Sequence, residues 1–172
     1  MTARIALIAS AALLAGTPAL AADGPSDPQI AHIAYTAGAL DVEAAKLALK
    51  KSHNSAVREF ASEMVRDHEA VNQKALALVK KLGVTPEPNT TSEGLAKQAA
   101  ETQAKLAKLN GKAFDRAYAS NEAAYHNTVN GALKSTLIPS ADNGELKSLL
   151  ETGLTLFGEH QMHAEHLAAE LK

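Results

Sequence analysis

Cysteine and tryptophan are absent from this 172-residue sequence, and aromatic residues make up only 3% of it. Without cysteine there is no disulfide, no thiolate metal ligand, no thiol chemistry and no lipid attached at a cysteine. A formal net charge of −2 gives no electrostatic basis for binding nucleic acid. Apolar runs of membrane length are also missing. The run from Ile5 to Leu14 is well short of the roughly 20 residues that a spanning helix needs. No phosphate-binding glycine loop and no serine–histidine–aspartate order is visible.

That short apolar run follows Arg4 and precedes Ala19-Leu20-Ala21, the pattern of a secretory leader with a small-residue cleavage site. The reading is a cleaved signal peptide over residues 1–21, a polar arm over 22–27 and one domain over 28–172. A periplasmic or secreted protein is expected, with no integral membrane segment once the leader is removed.

What is abundant is alanine and leucine, with lysine and glutamate between them, a composition that favours helices. The first predicted helix runs from about Pro28 to Ser52, with Ile30, Ile33, Ala37, Leu40, Ala44 and Leu47 on its apolar face. Gly38 inside it costs about 1 kcal/mol against alanine, which a close helix–helix approach would explain. The second, capped by Asn54 or Ser55 and ended by Gly83, carries Val57, Phe60, Ala61, Met64, Val65, Val71 and Ala75 at helical spacing. After a proline-containing loop, a lysine-bearing stretch from Thr91 or Ser92 to about Leu109 has a thin apolar face and reads as a partly exposed crossover helix. Asn110-Gly111 breaks it or bends it. A further helix runs from about Lys112 to Thr136, Pro139 to Gly144 reads as a loop, and a last helix runs from Gly144 to Leu171. The expected fold is all-α: a ferritin-like four-helix bundle, up-down-down-up, with a short crossover helix between its second and third long helices.

Three of the long helices set a histidine on or beside the apolar seam. His68 lies between Met64 and Val71, His126 leads into Val129 and Leu133, and His160 lies between Phe157 and Ala164. The first helix offers Asp41 beside Leu40, at the margin of its apolar stripe, and Glu122 is one turn before His126. Buried polar groups without partners cost about 1–3 kcal/mol each, so these residues need one another or a ligand. Imidazole nitrogens with carboxylates suit Zn, Fe, Mn or Cu, which makes His68, His126, His160, Asp41 and Glu122 a candidate metal site. Asp67 and Glu122 are placed to be either ligands or orienters of a neighbouring histidine. A metal-free network of histidine, aspartate and tyrosine, with Tyr118 or Tyr125 as donor, would give the same pattern. Met64 reads as packing. His163 and His166 read as an exposed helix end rather than a surface metal site.

The segments Phe60-Ala61-x-x-Met64-Val65-x-Asp67-His68-x-x-Val71-Asn72 and Gly111-x-Ala113-Phe114-Asp115-x-Ala117-Tyr118, with Gly38 to Glu43 before them, resemble domain-of-unknown-function family 4142 over about Ile30 to Leu167. In that family the position of Asp41 is typically glutamate. The resemblance implies an exported, ferritin-like four-helix bacterial protein with no established reaction. Di-iron proteins of that fold carry Glu-x-x-His pairs, whereas Val65, Ala123 and Phe157 stand three residues before His68, His126 and His160. A carboxylate-rich di-iron centre is therefore not expected. The leading expectation is a divalent-metal-binding protein in metal handling or envelope stress protection, more a binding protein than an enzyme. The alternative is a non-catalytic structural or interaction protein of the envelope, with an envelope protein partner and a histidine polar core. An oxidoreductase using Tyr118 or Tyr125 ranks third.

Overall fold

The computed structural model describes residues 24–172; the expected leader and Ala22, the residue expected to follow its cleavage, lie outside them. Among the described residues there are helices and no strands. Four long helical stretches and one shorter helix make up the domain: α1 (Asp27–Lys51), α2 (Ser55–Leu82), α3 (Thr90–Leu106), α4 (Gly111–Ala132), continued by a π-turn over Leu133–Leu137 and a last turn α5 (Ile138–Ser140), and α6 (Gly144–Glu170).

Asparagines set three of the starts. The Asn54 carboxamide oxygen accepts from the Ala56 and Val57 amides at 2.9 and 3.2 Å. Asn89 does the same for Thr91 and Ser92, and Asn143 for Glu145 and Leu146. Each satisfies donors that have no partner within their own helix. Asn54→Ala is expected to lower stability by about 1 kcal/mol, read as a shifted urea midpoint with an unchanged slope. Gly83 ends α2 with φ at 65°, a left-handed conformation that glycine adopts without strain. At the start of α1, the Asp27 carboxylate accepts from the Asp142 and Asn143 amides at 3.0 and 2.9 Å, which ties that end to the beginning of α6.

Two details differ from the sequence reading. Pro139 does not open a loop. The Ile138 amide donates to the Leu133 carbonyl, five residues back, and this widened turn carries the helix through Pro139 to Ser140. Proline interrupts a straight helix because it lacks a donor and its ring meets a carbonyl one turn earlier. Here the interruption falls beside Lys134, Ser135 and Thr136, which are exposed to solvent. Gly38 is the second. A Cβ there would come within 2.4 Å of the Asn72 side-chain oxygen, so the close neighbour is a side chain of α2 rather than its backbone.

The apolar core forms two clusters. One holds Ala44, Ala48, Val57, Phe60, Met64, Phe114, Tyr118 and Leu167; the other holds Ile30, Ile33, Leu133, Leu137, Leu146, Leu150 and Phe157. Residue order gives each helix a direction between them. Helices α1 and α6 run from the second cluster to the first, and α2 and α4 run the opposite way. Helix α1 packs on α2 and α4 on α6, α2 also packs on α6, and α3 lies along α1. Met64 is fully buried, as a packing residue should be. In every long helix the stretch between its contributions to the two clusters carries a polar side chain.

Candidate metal centre

That intervening layer holds Asp41 from α1, His68 from α2, Glu122 and His126 from α4, and His160 from α6. Their exposures are 2%, 3%, 1%, 1% and 1%. Helix periodicity explains how they arrive together. Each continues an apolar stripe at helical spacing, so each turns inward with its neighbours, and the helix directions bring the four middles to one level. Asp41 is buried while adjacent Leu40 is only half-buried, placing the carboxyl squarely on the inner face and not at its margin.

Ligand atoms of His68, His126 and His160 lie within 4.8 Å of one another, and so do those of Asp41, Glu122 and His126. All five residues singled out in the sequence are therefore in one cluster. Asp41 Oδ2 is 3.3 Å from His68 Nε2 and 3.4 Å from His126 Nε2, without the alignment of a hydrogen bond. The cluster is lined on one side by Phe157, whose ring stacks on His68 with centroids 4.6 Å apart and planes 8° apart. An aromatic ring thus occupies the place where a Glu-x-x-His pair would carry its carboxylate.

Two imidazoles have their tautomers set by their neighbours. His126 Nδ1 is 3.0 Å from the Glu122 carbonyl; a carbonyl only accepts, so Nδ1 carries the proton and Nε2 keeps its lone pair. His160 Nε2 is 3.1 Å from Asp67 Oδ2. The Arg66 side chain also binds Asp67, at 2.7 and 2.9 Å, and chiefly this hydrogen bond, with a smaller one from His160, holds the Asp67 carboxyl below its ordinary range. Asp67 is thus an ionised acceptor, His160 donates through Nε2, and its Nδ1 remains buried and unpartnered. A histidine that donates one N–H to a carboxylate or carbonyl while the other nitrogen stays free is the arrangement typical of metal-binding imidazoles.

Electrostatics keep the cluster close to neutral. Burial lowers the pKa of His68 well below its usual value and that of His160 below it, and brings His126 down to about 4. Burial also pushes Asp41 up to about 7, and raises Glu122 well above its ordinary value with help from the Asp41 charge. Neutral imidazole is the form that binds a metal, whereas the carboxyls must lose a proton to do so.

The polar atoms are poorly served by the protein itself. Both Asp41 oxygens, both His68 nitrogens, His126 Nε2, His160 Nδ1, Glu122 Oε2 and the Tyr118 hydroxyl have no hydrogen-bond partner. The Tyr125 hydroxyl donates to the Ala37 carbonyl at 2.8 Å, away from the histidines. Neither tyrosine therefore completes a histidine–aspartate–tyrosine network. At the outer edge His163 pairs with Glu63 at 2.8 Å and His166 approaches Glu170 at 3.6 Å, both on exposed side chains. Asp67, like Glu122, has a role that the sequence left undecided. Adjacent residues on a helix diverge by about 100°, so Asp67 serves His160 on α6 and not its neighbour His68. No helix among the described residues is long and apolar enough to cross a membrane.

A family model, domain of unknown function DUF4142, matches residues 10–167. No curated protein and no solved structure matches the chain.

Proposed function

The chain belongs to the DUF4142 family, and from that premise we propose that it is an exported, ferritin-like four-helix bundle that binds a divalent transition metal through His68, His126, His160 and Asp41, with Glu122 completing the set. Its role is metal handling in the cell envelope, or protection of the envelope from metal stress, and not turnover of a substrate.

One observation carries this reading. The lone pair on His126 Nε2 and the Asp41 carboxyl face each other at 3.4 Å, acceptor against acceptor, in a place without water access. Such a contact is relieved by a proton or a cation between them. The surrounding donor set fits a cation: three imidazoles, two of them oriented through their second nitrogen, and two carboxyls whose charge would balance a divalent ion. Its mixture of nitrogen and oxygen, without sulfur, suits Zn, Fe, Mn or Cu. Bound there, the metal would supply positive charge and Lewis acidity. The polar-core alternative is weaker because a structural network is stable when its members are satisfied, and this one leaves most of its atoms without partners.

The test is elemental analysis of purified protein after exposure to each metal and desalting. The expected result is about one metal per chain, retained in a His163→Ala/His166→Ala double variant. No retained metal would make the histidines structural. Loss in the double variant would move the site to the exposed end of α6.

A further inference from the structure

A second group of ligand side chains lies on the outer side of His160. Glu63 and Asp67 are one turn apart on α2, and His160 and His163 are one turn apart on α6, so each pair shares a helix face. The two helices pack on one another and bring the pairs together. Ligand atoms of Glu63, Asp67 and His160 lie within 4.8 Å of one another. His163 Nδ1 is 2.8 Å from Glu63 Oε2, and its ring stands edge-on to Phe60 with centroids 5.0 Å apart. His163 is thereby held against α2, and in turn holds Glu63.

This group meets solvent where the buried centre does not. The side chains of Asp67, Glu63 and His163 are 17%, 30% and 44% exposed, so an ion reaches both carboxylates from outside. The His160 ring lies behind them, with Nε2 at 3.1 Å from Asp67 Oδ2. Two ligands of a tetrahedral zinc, each about 2.0–2.1 Å from the metal, stand about 3.3 Å apart. The Asp67–His160 separation is close to that edge, so a metal replaces the shared proton with little movement of either group. Two carboxylates and an imidazole, with water in the fourth position, suit zinc. The Arg66 guanidinium competes for Asp67 at 2.7 and 2.9 Å, but its side chain is 69% exposed and can swing into water.

We propose that Glu63, Asp67 and His160 Nε2 form a second, solvent-facing site for a divalent cation of the zinc type, with His163 orienting Glu63. The site does not require the buried one, but it shares His160 with it. A neutral imidazole has one lone pair. In the metal-free protein Nε2 carries the proton and Nδ1 is left for the buried cluster. A metal at Nε2 moves that proton to Nδ1. The two sites therefore compete for His160, a consequence that rests on the buried cluster being a metal centre.

The experiment is calorimetric titration of zinc into chelator-treated Asp41→Asn protein, whose buried centre has lost a ligand. About one zinc per chain is expected to bind. Adding Glu63→Gln should weaken it about tenfold. Adding Arg66→Gln should tighten it about fivefold, because a positive charge about 4 Å away is removed. Neither position is buried, so both variants keep the core. Nitrogen NMR of the zinc-loaded Asp41→Asn protein should find the His160 proton on Nδ1, and in the loaded native protein on Nε2. The site is overturned if Asp41→Asn binds no zinc, if Glu63→Gln leaves the affinity unchanged, or if His160 Nε2 of the loaded variant keeps its proton. Weaker binding with Arg66→Gln would also overturn it, since the guanidinium would then support the ion rather than compete with it. Equal affinity of native and Asp41→Asn protein, both lowered by Glu63→Gln, would uphold this site and remove the buried one. Two zinc ions on one native chain would uphold the site and overturn the competition.

Discussion

In chelator-treated protein above about pH 7, Asp41→Asn is expected to raise stability by about 1–3 kcal/mol, and in the same variant metal no longer stabilises the fold. The native carboxyl faces the lone pair of His126 Nε2 at 3.4 Å, and neither of its oxygens has a hydrogen-bond partner. Asparagine has the same shape, carries no charge, and can present an N–H to that lone pair. The sign of the pH dependence follows from Asp41. Its carboxyl titrates at about 7 in the folded protein and at about 3.9 in an unfolded chain. Between those values the folded state holds one more proton, so this group's contribution to stability falls as pH rises across the window and is flat above it. The variant lacks that group, so its advantage grows from about pH 4 to about pH 7 and is complete beyond. Urea titrations at several pH values, with and without metal, measure both parts. A variant less stable than the native protein at high pH would show that the carboxylate is satisfied in the metal-free fold.

The second large effect is the pH dependence of metal affinity itself. Affinity is expected to fall about tenfold per pH unit below about pH 7 and to level off above, because binding must displace the Asp41 proton. The histidines add nothing to this slope near neutrality. Burial already keeps His126 neutral down to about 4 and lowers His68 well below its usual value. A site built of exposed, unperturbed histidines behaves differently, since such imidazoles begin to take up a proton near 6.5 and the slope steepens with acid. Competition against a chromophoric chelator across this range separates the two. A slope that steepens below about 6.5 would assign the metal to exposed histidines rather than to the buried cluster. A Glu122 that also ionises on binding would add a second proton to the slope without moving it to the histidine range.

Much of this was legible in the sequence, for reasons that particular residues make clear. Alanine and leucine at helical spacing, with Asn54 or Ser55 and Gly83 as punctuation, specify where the long helices start and stop. Placing His68, His126 and His160 on seams identified the side chains that needed partners. Their convergence was not legible, because it depends on how each helix is rotated about its axis, and a periodicity built on alanine fixes that only loosely. Asp41 shows the consequence. Beside Leu40 it looked marginal, yet a small rotation of α1 puts the carboxyl inward and leaves the leucine half-exposed. Pro139 misled because proline ordinarily ends a helix, and a widened turn that tolerates it has no strong local signature. The cavity of about 510 Å³ beside the cluster is a void, and voids have no residues of their own. Its only trace was the set of small side chains at Ala34, Ala37, Gly38 and Ala75, which composition alone reads as helix formers.

The layer of polar residues is divided between the two halves of the chain, two in the first and three in the second. Asp41 and His68 come from the hairpin of α1 and α2, which is closed by the three residues between Lys51 and Ser55. Glu122, His126 and His160 come from α4 and α6, and α3 with its flanking loops joins the halves. Each half therefore holds only part of the cluster, and the whole exists only where the halves meet. Cutting the chain within the connection would make assembly of the cluster a second-order event between two fragments, dependent on their concentration. In the intact protein α3 acts as a tether that keeps the effective concentration of one half about the other high. The cluster thus reports that the two hairpins have docked in register, and a ligand that bridges them would slow their separation rather than speed their meeting.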